Sequence, residues 1–279
     1  MAGTPSRPFS VDLFRSLLTT KAVGRAITYV DNTTSTMDLA AIMAKEGAAS
    51  GSIAMAESQT NGVGRGNGRI WSSPPLHNLY TTFIIRPNSM TDAVKINLGM
   101  GLAIAKTARR FGAAKAGVKW PNDVWIEEKK LCGILTNSDS NREQGLVLMV
   151  GIGTNINEEM RLNPNPDVAR SAISMSDCIG KPVDREAFLA AMCEEIEVML
   201  GQSQDQVVGE YRKYDVLTGK DCLVMPRKLE NSVDHYGAIY LGIDDSGQLR
   251  VRVDGALKLL SFEEVSVRPR VSAPLPESK

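Results

Sequence analysis

The sequence predicts an α+β fold in which a larger α+β domain is followed by a small β-barrel. Three observations predict it. Apolar strands and amphipathic helices succeed one another up to about residue 216. About 50 residues of short strands broken by Gly, Asp and Asn follow, from Asp221 to Arg268. A chain of 279 residues, 43% of them hydrophobic and 23% charged, also suffices for one large and one small domain.

The first clear pattern is the alternating segment Ala26–Val30, which predicts a strand. A Ser/Thr cluster follows it and precedes a run rich in Ala, Met and Leu. Because hydroxyl side chains cap helix N-termini, we predict a helix over Met37–Glu46, with Ser35 or Thr36 as its cap and Gly47 as its stop.

The rest of the larger domain continues in the same way. Strands are predicted at Gly51–Glu57 and Asn78–Ile85, and a long core helix at Val94–Phe111. A proline-containing loop is predicted at Asn163–Asp167 and an amphipathic helix at Arg185–Leu200. Four further strands are predicted between the two helices: Gly117–Trp120, Val124–Ile126, Leu131–Thr136 and Leu146–Ile152.

The sequence pattern changes near Leu217, where short predicted strands separated by turn residues begin. Asp244–Gly247 predicts a hairpin turn between two of its strands. Five strands are predicted: Cys222–Met225, Tyr236–Ile243, Gln248–Val253, Leu257–Phe262 and Val265–Val267. We therefore divide the chain into an N-terminal extension (1–25), a main domain (26–216), a small β-barrel (217–269) and a disordered tail (270–279).

The composition argues against several functions. Lys plus Arg and Asp plus Glu both total 32, so a net charge of +0 gives no general attraction to nucleic acid or an anionic membrane. No apolar run approaches the roughly 20 residues that span a bilayer. Four scattered cysteines and two histidines show no metal-ligand spacing, which predicts reduced core thiols in a cytoplasmic protein.

The first 25 residues carry four basic side chains against a single acid, Asp12. This bias, together with several Ser and Thr, is compatible with an organelle transit peptide. A plain flexible N-terminus explains it equally well.

The first segment that indicates chemistry is Gln59–Trp71, which holds four glycines and the arginines Arg65 and Arg69. Glycines let the backbone approach a ligand and turn N–H groups towards an anion, and arginine suits phosphate and carboxylate oxygens. The spacing is not that of a P-loop, and taken alone the segment is equally well a mobile surface loop.

Two further segments are also ambiguous alone. Lys119–Asp123 ends a strand in a Pro-Asn-Asp turn, and the returning strand begins near Lys130; turn chemistry would explain this pattern. Gly151 and Gly153 alternate with isoleucine at a strand end, which is compatible with the close approach of a ligand, although taken alone a glycine bulge is the favoured explanation.

The segments together resemble the biotin protein ligase family, which includes the holocarboxylase synthetases. The resemblance runs from about Thr28 to Arg268. Its motifs occur in the family's order and at similar spacings: Thr33–Thr36, Gln59–Arg65, Lys119–Asp123, Lys130–Leu135 and Gly151–Asn157. It implies a mixed-sheet, biotin/lipoate ligase-like catalytic domain over residues 26–216 and a small C-terminal SH3-like β-barrel.

The resemblance also implies an activity. Family members activate biotin with ATP to biotinyl-5′-AMP, release pyrophosphate, and transfer biotin to a lysine of a biotin carboxyl carrier domain of a biotin-dependent carboxylase. Mg²⁺ is expected with the nucleotide, between its phosphates and not in a protein-built cage.

The resemblance assigns site residues one by one. Lys130 is implied as the catalytic lysine at the biotin carboxylate, with Arg65 and Lys119 beside it, and Trp71 as the aromatic side chain that stacks on adenine. The biotin-binding residues implied are Ser35, Thr36, Gln59, Gly62, Gly64, Arg65, Lys130, Gly133, Gly151 and Gly153. The ATP/AMP-binding residues implied are Arg69, Trp71, Lys119, Asn122, Asp123 and Asn155.

The sequence departs from the family at three places. Val63 stands where many relatives have arginine, one extra residue lies around Gly66-Asn67, and Met37 stands where many bacterial members have asparagine. These departures affect the assignment of the loop contacts, including that of Arg65, more than the function.

Other readings remain. Lipoate ligases share the fold, but the Arg-Arg-x-x-Gly-Gly-Gly stretch usual in their loops is absent here. A DNA-binding repressor needs several N-terminal helices, and only about 27 residues precede the first strand, so no DNA binding is expected. A catalytically inactive binding module has no positive support, and homodimerisation through a sheet edge is left open.

Overall fold

The computed structural model describes residues 7–65, 70–87, 89–141, 145–226, 235–261 and 265–269. A large sheet contains β1 (Ile27–Thr33), β2 (Ser52–Gln59), β3 (Leu79–Ile85), β4 (Ala116–Lys119), β5 (Asp123–Ile126), β6 (Lys129–Asn141) and β7 (Gly145–Thr154). A small sheet contains β8 (Asp221–Pro226), β9 (Tyr236–Ile243), β10 (Leu249–Val253), β11 (Ala256–Leu260) and β12 (Val265–Pro269).

The helices lie mainly on the large sheet. They are α1 (Val11–Leu17), α2 (Thr36–Lys45), α3 (Met90–Arg110), the short 3₁₀ turn Met160–Leu162, α4 (Pro166–Ser171), α5 (Met175–Ile179), α6 (Arg185–Leu200) and α7 (Gln204–Tyr214). Within the described ranges, no helix combines the length and apolar character that a membrane crossing requires.

The large sheet is mixed, with strand order β1-β2-β3-β7-β6-β5-β4, and the small sheet is antiparallel, with order β11-β10-β9-β8-β12. Among the strands that the structure describes, only β1 and β2 pair in parallel, and α2 provides the crossover that parallel strands need. The predicted mixed-sheet α+β fold is therefore confirmed, and the small sheet is consistent with the predicted SH3-like barrel.

The two faces of the large sheet are covered unequally. Alternate residues of its central strands pack on α3 and α6 in one extensive core, which includes Phe83 and Val150. The opposite face packs on α2, whose fully or nearly fully buried apolar side chains there are the small ones of Ala40 and Ala44. Since α2 is ten residues long, it leaves one end of this face uncovered. The functional residues lie there.

The helix signals in the sequence are mostly confirmed. Ser35 caps α2 by accepting a hydrogen bond from the Met37 amide, and Gly47 follows the helix with a φ of 87°. The long helix begins at Met90, four residues earlier than predicted, because Ser89 caps it. The loop prediction for Asn163–Asp167 is wrong at its end, since Asn165 caps α4 and Pro166 begins it.

The expectation of a flexible N-terminus is wrong for residues 7–25. Ser10 caps α1, whose Phe14 is fully buried, and the rings of Phe9 and Phe14 lie 5.8 Å apart. The carboxylate of Glu197 on α6 accepts hydrogen bonds from the amides of residues 21–23. Seven helical residues are too few to show a helical period in the sequence.

The small sheet reaches the large one through the predicted turn Asp244–Gly247. The indole Nε1 of Trp120, a fully buried residue after β4, donates to the Gly247 carbonyl at 3.1 Å. Gly247 has a φ of 85°, and a Cβ there would lie 2.8 Å from Val94 on α3. Only glycine fits this contact. The domain boundaries remain a prediction, and the predicted tail 270–279 lies outside the described residues.

The packing of α1 gives a stability prediction. We expect Phe14→Ala to lower the free energy of unfolding by about 3 kcal/mol, because it removes a fully buried ring and leaves a cavity. Leu13→Ala on the same helix is the control; this side chain is 37% exposed, so a loss of about 0.5 kcal/mol is expected. Urea unfolding measures both, and equal losses would contradict docking of α1.

Candidate active site

A cleft opens on the uncovered end of the α2 face. The register of β6 and β7 places Gly133 directly opposite Gly153, and Gly151 lies two residues earlier on the same face. Most of the residues assigned by the resemblance line this cleft: Ser35, Thr36, Gln59, Gly64, Arg65, Trp71, Asn122, Lys130, Gly133, Gly151 and Gly153. The sequence motifs are thus brought together.

Other residues of the cleft were missed by the sequence reasoning. They are Tyr80, Ile134, Leu135 and Ile152, together with Val63 and Met37, which had been noted only as departures from the family. Tyr80 could have been found from strand register, since it pairs with Gly153 across β3 and β7. The others are apolar residues between the motif residues and carry no separate signal.

One end of the cleft holds a hydrogen-bond network. The side-chain oxygen of Gln59 accepts from the Thr36 amide at 2.9 Å, and its nitrogen donates to the Ser73 hydroxyl at 2.9 Å. Thr82 donates to the Thr36 hydroxyl at 2.9 Å. Because Thr36 begins α2 directly after the Ser35 cap, the cap also fixes the position of this network.

Trp71 lies against the glycine floor of the cleft. A Cβ on Gly153 would come within 2.4 Å of the indole, and one on Gly133 within 2.8 Å. The indole Nε1 is buried without a protein partner. The resemblance assigns Trp71 to adenine, but the structure places it on the glycines assigned to biotin, so the adenine role stays a prediction.

A buried carboxylate joins two lysines at the other side of the cleft. The two oxygens of Asp123 lie 2.7 Å from Lys130 Nζ and 3.3 Å from Lys119 Nζ. Lys130 lines the cleft, and its Nζ lies 5.3 Å from the centre of the Trp71 ring. Lys119 is 7% exposed and lies behind the wall, with its Nζ 4.7 Å from the Trp125 ring.

The charge state of Asp123 follows from these contacts. Burial opposes ionisation, but the two ammonium groups of Lys130 and Lys119 outweigh it and lower the pKa of Asp123 to about 2. The carboxylate is therefore ionised at neutral pH and acts as a fixed anion. It holds Lys130 at the cleft wall, where that ammonium group can meet an anionic ligand.

The remaining assigned residues shape the cleft from outside or at its rim. Arg65 donates to the side-chain oxygen of Asn122 at 2.8 Å, and Asn122 donates to the Ile134 carbonyl at 2.7 Å. Asn155 does not line the cleft; its side chain donates to the Lys130 carbonyl at 3.4 Å and so braces the start of β6.

Gly62 and Arg69 lie at the two ends of the glycine-rich segment. The Gly62 carbonyl accepts from the Trp71 amide at 2.8 Å, and a Cβ on Gly62 would lie 2.5 Å from the Trp71 carbonyl oxygen, so a glycine is required there. Arg69 lies outside the described residues.

The cysteines are free thiols, as predicted, and three of the four are buried. Burial raises the pKa of Cys132, directly before Gly133, to about 12, so this thiol is not a nucleophile at neutral pH. Among the residues that the structure describes, no group of three His, Cys, Asp or Glu side chains could hold a metal ion.

Comparison with known proteins gives consistent matches. A model of the biotin/lipoate A/B protein ligase family matches residues 28–157. The bifunctional ligase/repressor BirA of Escherichia coli (strain K12) is 31% identical over 221 residues, which cover 78% of this chain and 67% of that protein.

Solved structures agree with the predicted fold. The biotin protein ligase from Aquifex aeolicus in complex with biotin and ATP has a TM-score of 0.74 at 22% identity, with 88% of this chain and 100% of that chain covered. The biotin protein ligase from Leishmania major in complex with biotinyl-5-AMP has a TM-score of 0.59 at 25% identity, with 85% and 99% covered.

The pKa of Asp123 gives a prediction for stability against pH. A pKa of about 2 in the folded protein lies below the ordinary value of about 3.9. The ion pairs therefore stabilise the fold above about pH 4, and this contribution is lost as the pH falls towards 2. We expect the cost of Asp123→Asn to be about 1 kcal/mol smaller at pH 3 than at pH 7. Urea unfolding at both pH values measures it; a cost independent of pH would contradict the pairing.

Proposed function

The chain belongs to the biotin/lipoate A/B protein ligase family, and we propose that it acts as a biotin protein ligase. This is an ATP-dependent, AMP-forming ligase that activates biotin to biotinyl-5′-AMP, with release of pyrophosphate, and then forms a C–N bond to a protein lysine. The observation that carries the proposal is the position of Lys130 beside a cleft floored by Gly133, Gly151 and Gly153.

The first step brings two anions together. A carboxylate oxygen of biotin attacks the α-phosphorus of ATP, a new P–O bond forms, and the bond to pyrophosphate breaks. Positioning and positive charge are the main requirements of such a step. Lys130 supplies an ammonium group at the cleft, and Asp123 fixes its direction. Arg65, on the rim with Asn122, supplies a second positive charge for the phosphates.

The second step transfers the acyl group. The neutral amine of the acceptor lysine attacks the biotinyl carbonyl carbon, an amide bond forms, and the bond to the AMP oxygen breaks. The amine loses its proton as AMP leaves. Lys130 would stabilise the charge that develops on the departing phosphate, so the same ammonium group serves both steps.

The hydrogen-bond network favours biotin over lipoate. Biotin carries a ureido ring with paired N–H donors and a carbonyl acceptor, whereas the dithiolane ring of lipoate offers neither. Thr36, Gln59 and Ser73 form a fixed set of polar groups at one end of the cleft. A buried polar group left unpaired costs about 1–3 kcal/mol, so such a network discriminates between the two acids.

The nucleotide is expected to bring Mg²⁺. Its phosphates would hold the ion, because Asp123, the buried carboxylate of this site, is already paired with two lysines. The expected acceptor is a biotin carboxyl carrier domain. In residues 7–26 the structure contains one helix, α1, and it packs on α6. That the chain does not bind DNA and that it is cytoplasmic stay predictions, and homodimerisation stays undecided.

The proposed activity predicts an effect at Lys130. We expect ATP–pyrophosphate exchange that requires biotin and is not supported by lipoate, and we expect Lys130→Ala to lower its rate by at least about 100-fold. Lys129→Ala is the control, since this neighbour is exposed and does not line the cleft.

Each other outcome has a definite meaning. Exchange with lipoate in place of biotin would agree with membership of the family but would contradict biotin as the substrate. A folded wild-type protein without exchange would sink the ligase proposal. Equal losses in the two lysine variants would remove the role assigned to Lys130.

The glycine floor predicts a difference between two neighbouring substitutions. A Cβ on Gly153 would press into the Trp71 indole at 2.4 Å, whereas one on Gly151 would meet the flexible end of Met37 at 2.7 Å. We therefore expect Gly153→Ala to raise the KM for biotin at least about tenfold, and Gly151→Ala to raise it by a much smaller factor. Equal KM values from exchange kinetics would contradict this picture of the floor.

A further inference from the structure

Glu57 is a buried carboxylate outside the cleft, two residues before Gln59 on β2. Its side chain is 5% exposed, and donor groups from four residues hydrogen-bond to its two carboxylate oxygens. One oxygen accepts from the Leu76 amide at 2.9 Å and from Arg185, and the other from the Phe9 amide at 2.9 Å and the Tyr29 hydroxyl at 2.6 Å. These donors come from four separate parts of the chain.

Arg185, the first residue of α6, is the ionic partner of Glu57 and is also 5% exposed. Its guanidinium donates to two backbone carbonyls as well, that of Asn78 at 3.1 Å and that of Arg7 at 2.7 Å. The planar fork of arginine allows these contacts to be made at once, which a lysine could not do.

The pair holds both ends of the connection between β2 and β3, residues 60–78, which contains most of the glycine-rich segment. Glu57 stands just before Gln59, where the segment leaves β2, and it binds the amide of Leu76, where the chain returns. Arg185 binds the carbonyl of Asn78, directly before β3. Leu76 has a φ of 74°, a left-handed conformation that is rare for leucine and that the bond from its amide helps to hold.

The N-terminal arm, residues 7–10, completes this arrangement. It contributes the Phe9 amide to Glu57 and the Arg7 carbonyl to Arg185. A second carboxylate, Glu186, accepts from the Arg7 guanidinium and from the Ser10 amide at 2.6 Å. The arm therefore packs over the pair and keeps water from it.

Stability alone is a weak reason for such a pair. Moving two charges out of water costs several kcal/mol, and apolar residues of the same volume often stabilise a fold as well or better. An ion pair whose hydrogen-bonding atoms all have partners holds every group that it binds in a single geometry. Here those groups include the two ends of the segment that carries Gln59, Arg65 and Trp71.

We propose that Glu57 and Arg185 are positioning residues of the ligase reaction. The pair fixes the ends of the connection 60–78, which carries most of the glycine-rich segment, and so pre-organises the binding of both biotin and ATP. The kinetic part of this proposal rests on the proposed function. The structural part, the hold on Leu76 and Asn78, does not.

The test uses the full chain with Glu57→Gln, Arg185→Lys and the control Tyr29→Phe. Tyr29→Phe removes one donor from the same carboxylate without touching Leu76 or Asn78. Exchange kinetics give kcat and the KM for biotin and ATP, below the urea or thermal transition of each variant. Hydrogen exchange by mass spectrometry compares residues 71–78 with the hairpin 249–260, which is remote from the pair.

For Glu57→Gln and Arg185→Lys we expect the KM values for biotin and ATP to rise about tenfold, with little change in kcat. A factor of this size corresponds to the weakening of binding expected when one hydrogen bond to a charged group is removed. Hydrogen exchange of the backbone amides should accelerate at residues 71–78 and should stay unchanged at residues 249–260. Tyr29→Phe should leave the KM values and both exchange rates near those of the wild type.

Several results would overturn the proposal. They are unchanged KM values in folded variants, a uniform rise of hydrogen exchange across both regions, or equal effects in Tyr29→Phe. If Glu57→Gln does not fold, Arg185→Lys carries the test, because it keeps the charge and loses the fork. A wild type without biotin-dependent exchange would refute the proposed function, and hydrogen exchange at residues 71–78 would still decide the role of the pair.

Discussion

The register between β6 and β7 is the constraint on which the site depends. It places Gly133 opposite Gly153, so that the backbone there is not covered by side chains on one face of the sheet. A slip of one residue would turn these positions to the face covered by α3 and α6. That face has a close-packed core, so its apolar side chains fix the register from the opposite side. Packing on one face thus determines the shape of the cleft on the other.

The charges of the site depend on the same strands. Asp123 begins β5 and Lys130 stands near the start of β6, so the hairpin between them brings the carboxylate and the ammonium group together. Lys119, at the end of β4, reaches the same carboxylate from the other side. One anion therefore orients two cations, and a surplus of positive charge remains beside the cleft.

The sequence predicts the parts of the molecule that have local signals. The cap at Ser35 and the turn at Asp244–Gly247 follow from such signals. The clustering of the glycine and lysine motifs was implied only by the family resemblance. The sequence does not predict the helices α1 and α7, because their apolar faces are short and can be recognised only from the surfaces on which they pack. The position of Trp71 on the glycine floor also depends on groups distant in sequence.

Glu57 and Arg185 show the same limit. A glutamate that ends an apolar run and an arginine that begins a helix each have ordinary local explanations. A clue did exist, since Ile53 to Ala56 predict a buried strand and a carboxylate following them needs a partner. The sequence could indicate that a partner was required, but the fold was needed to identify it as Arg185.

The anchored ends of the glycine-rich segment bear on how its length can vary. When both ends of a loop are fixed, the entropy of closing it grows only with the logarithm of its length. One residue added to a loop of this size changes the closure free energy by about 0.05 kcal/mol. One extra residue, as the family resemblance predicts around Gly66-Asn67, would therefore carry almost no thermodynamic penalty. Insertions and deletions can accumulate in the middle of the segment during evolution while Gln59 and Trp71 keep their places.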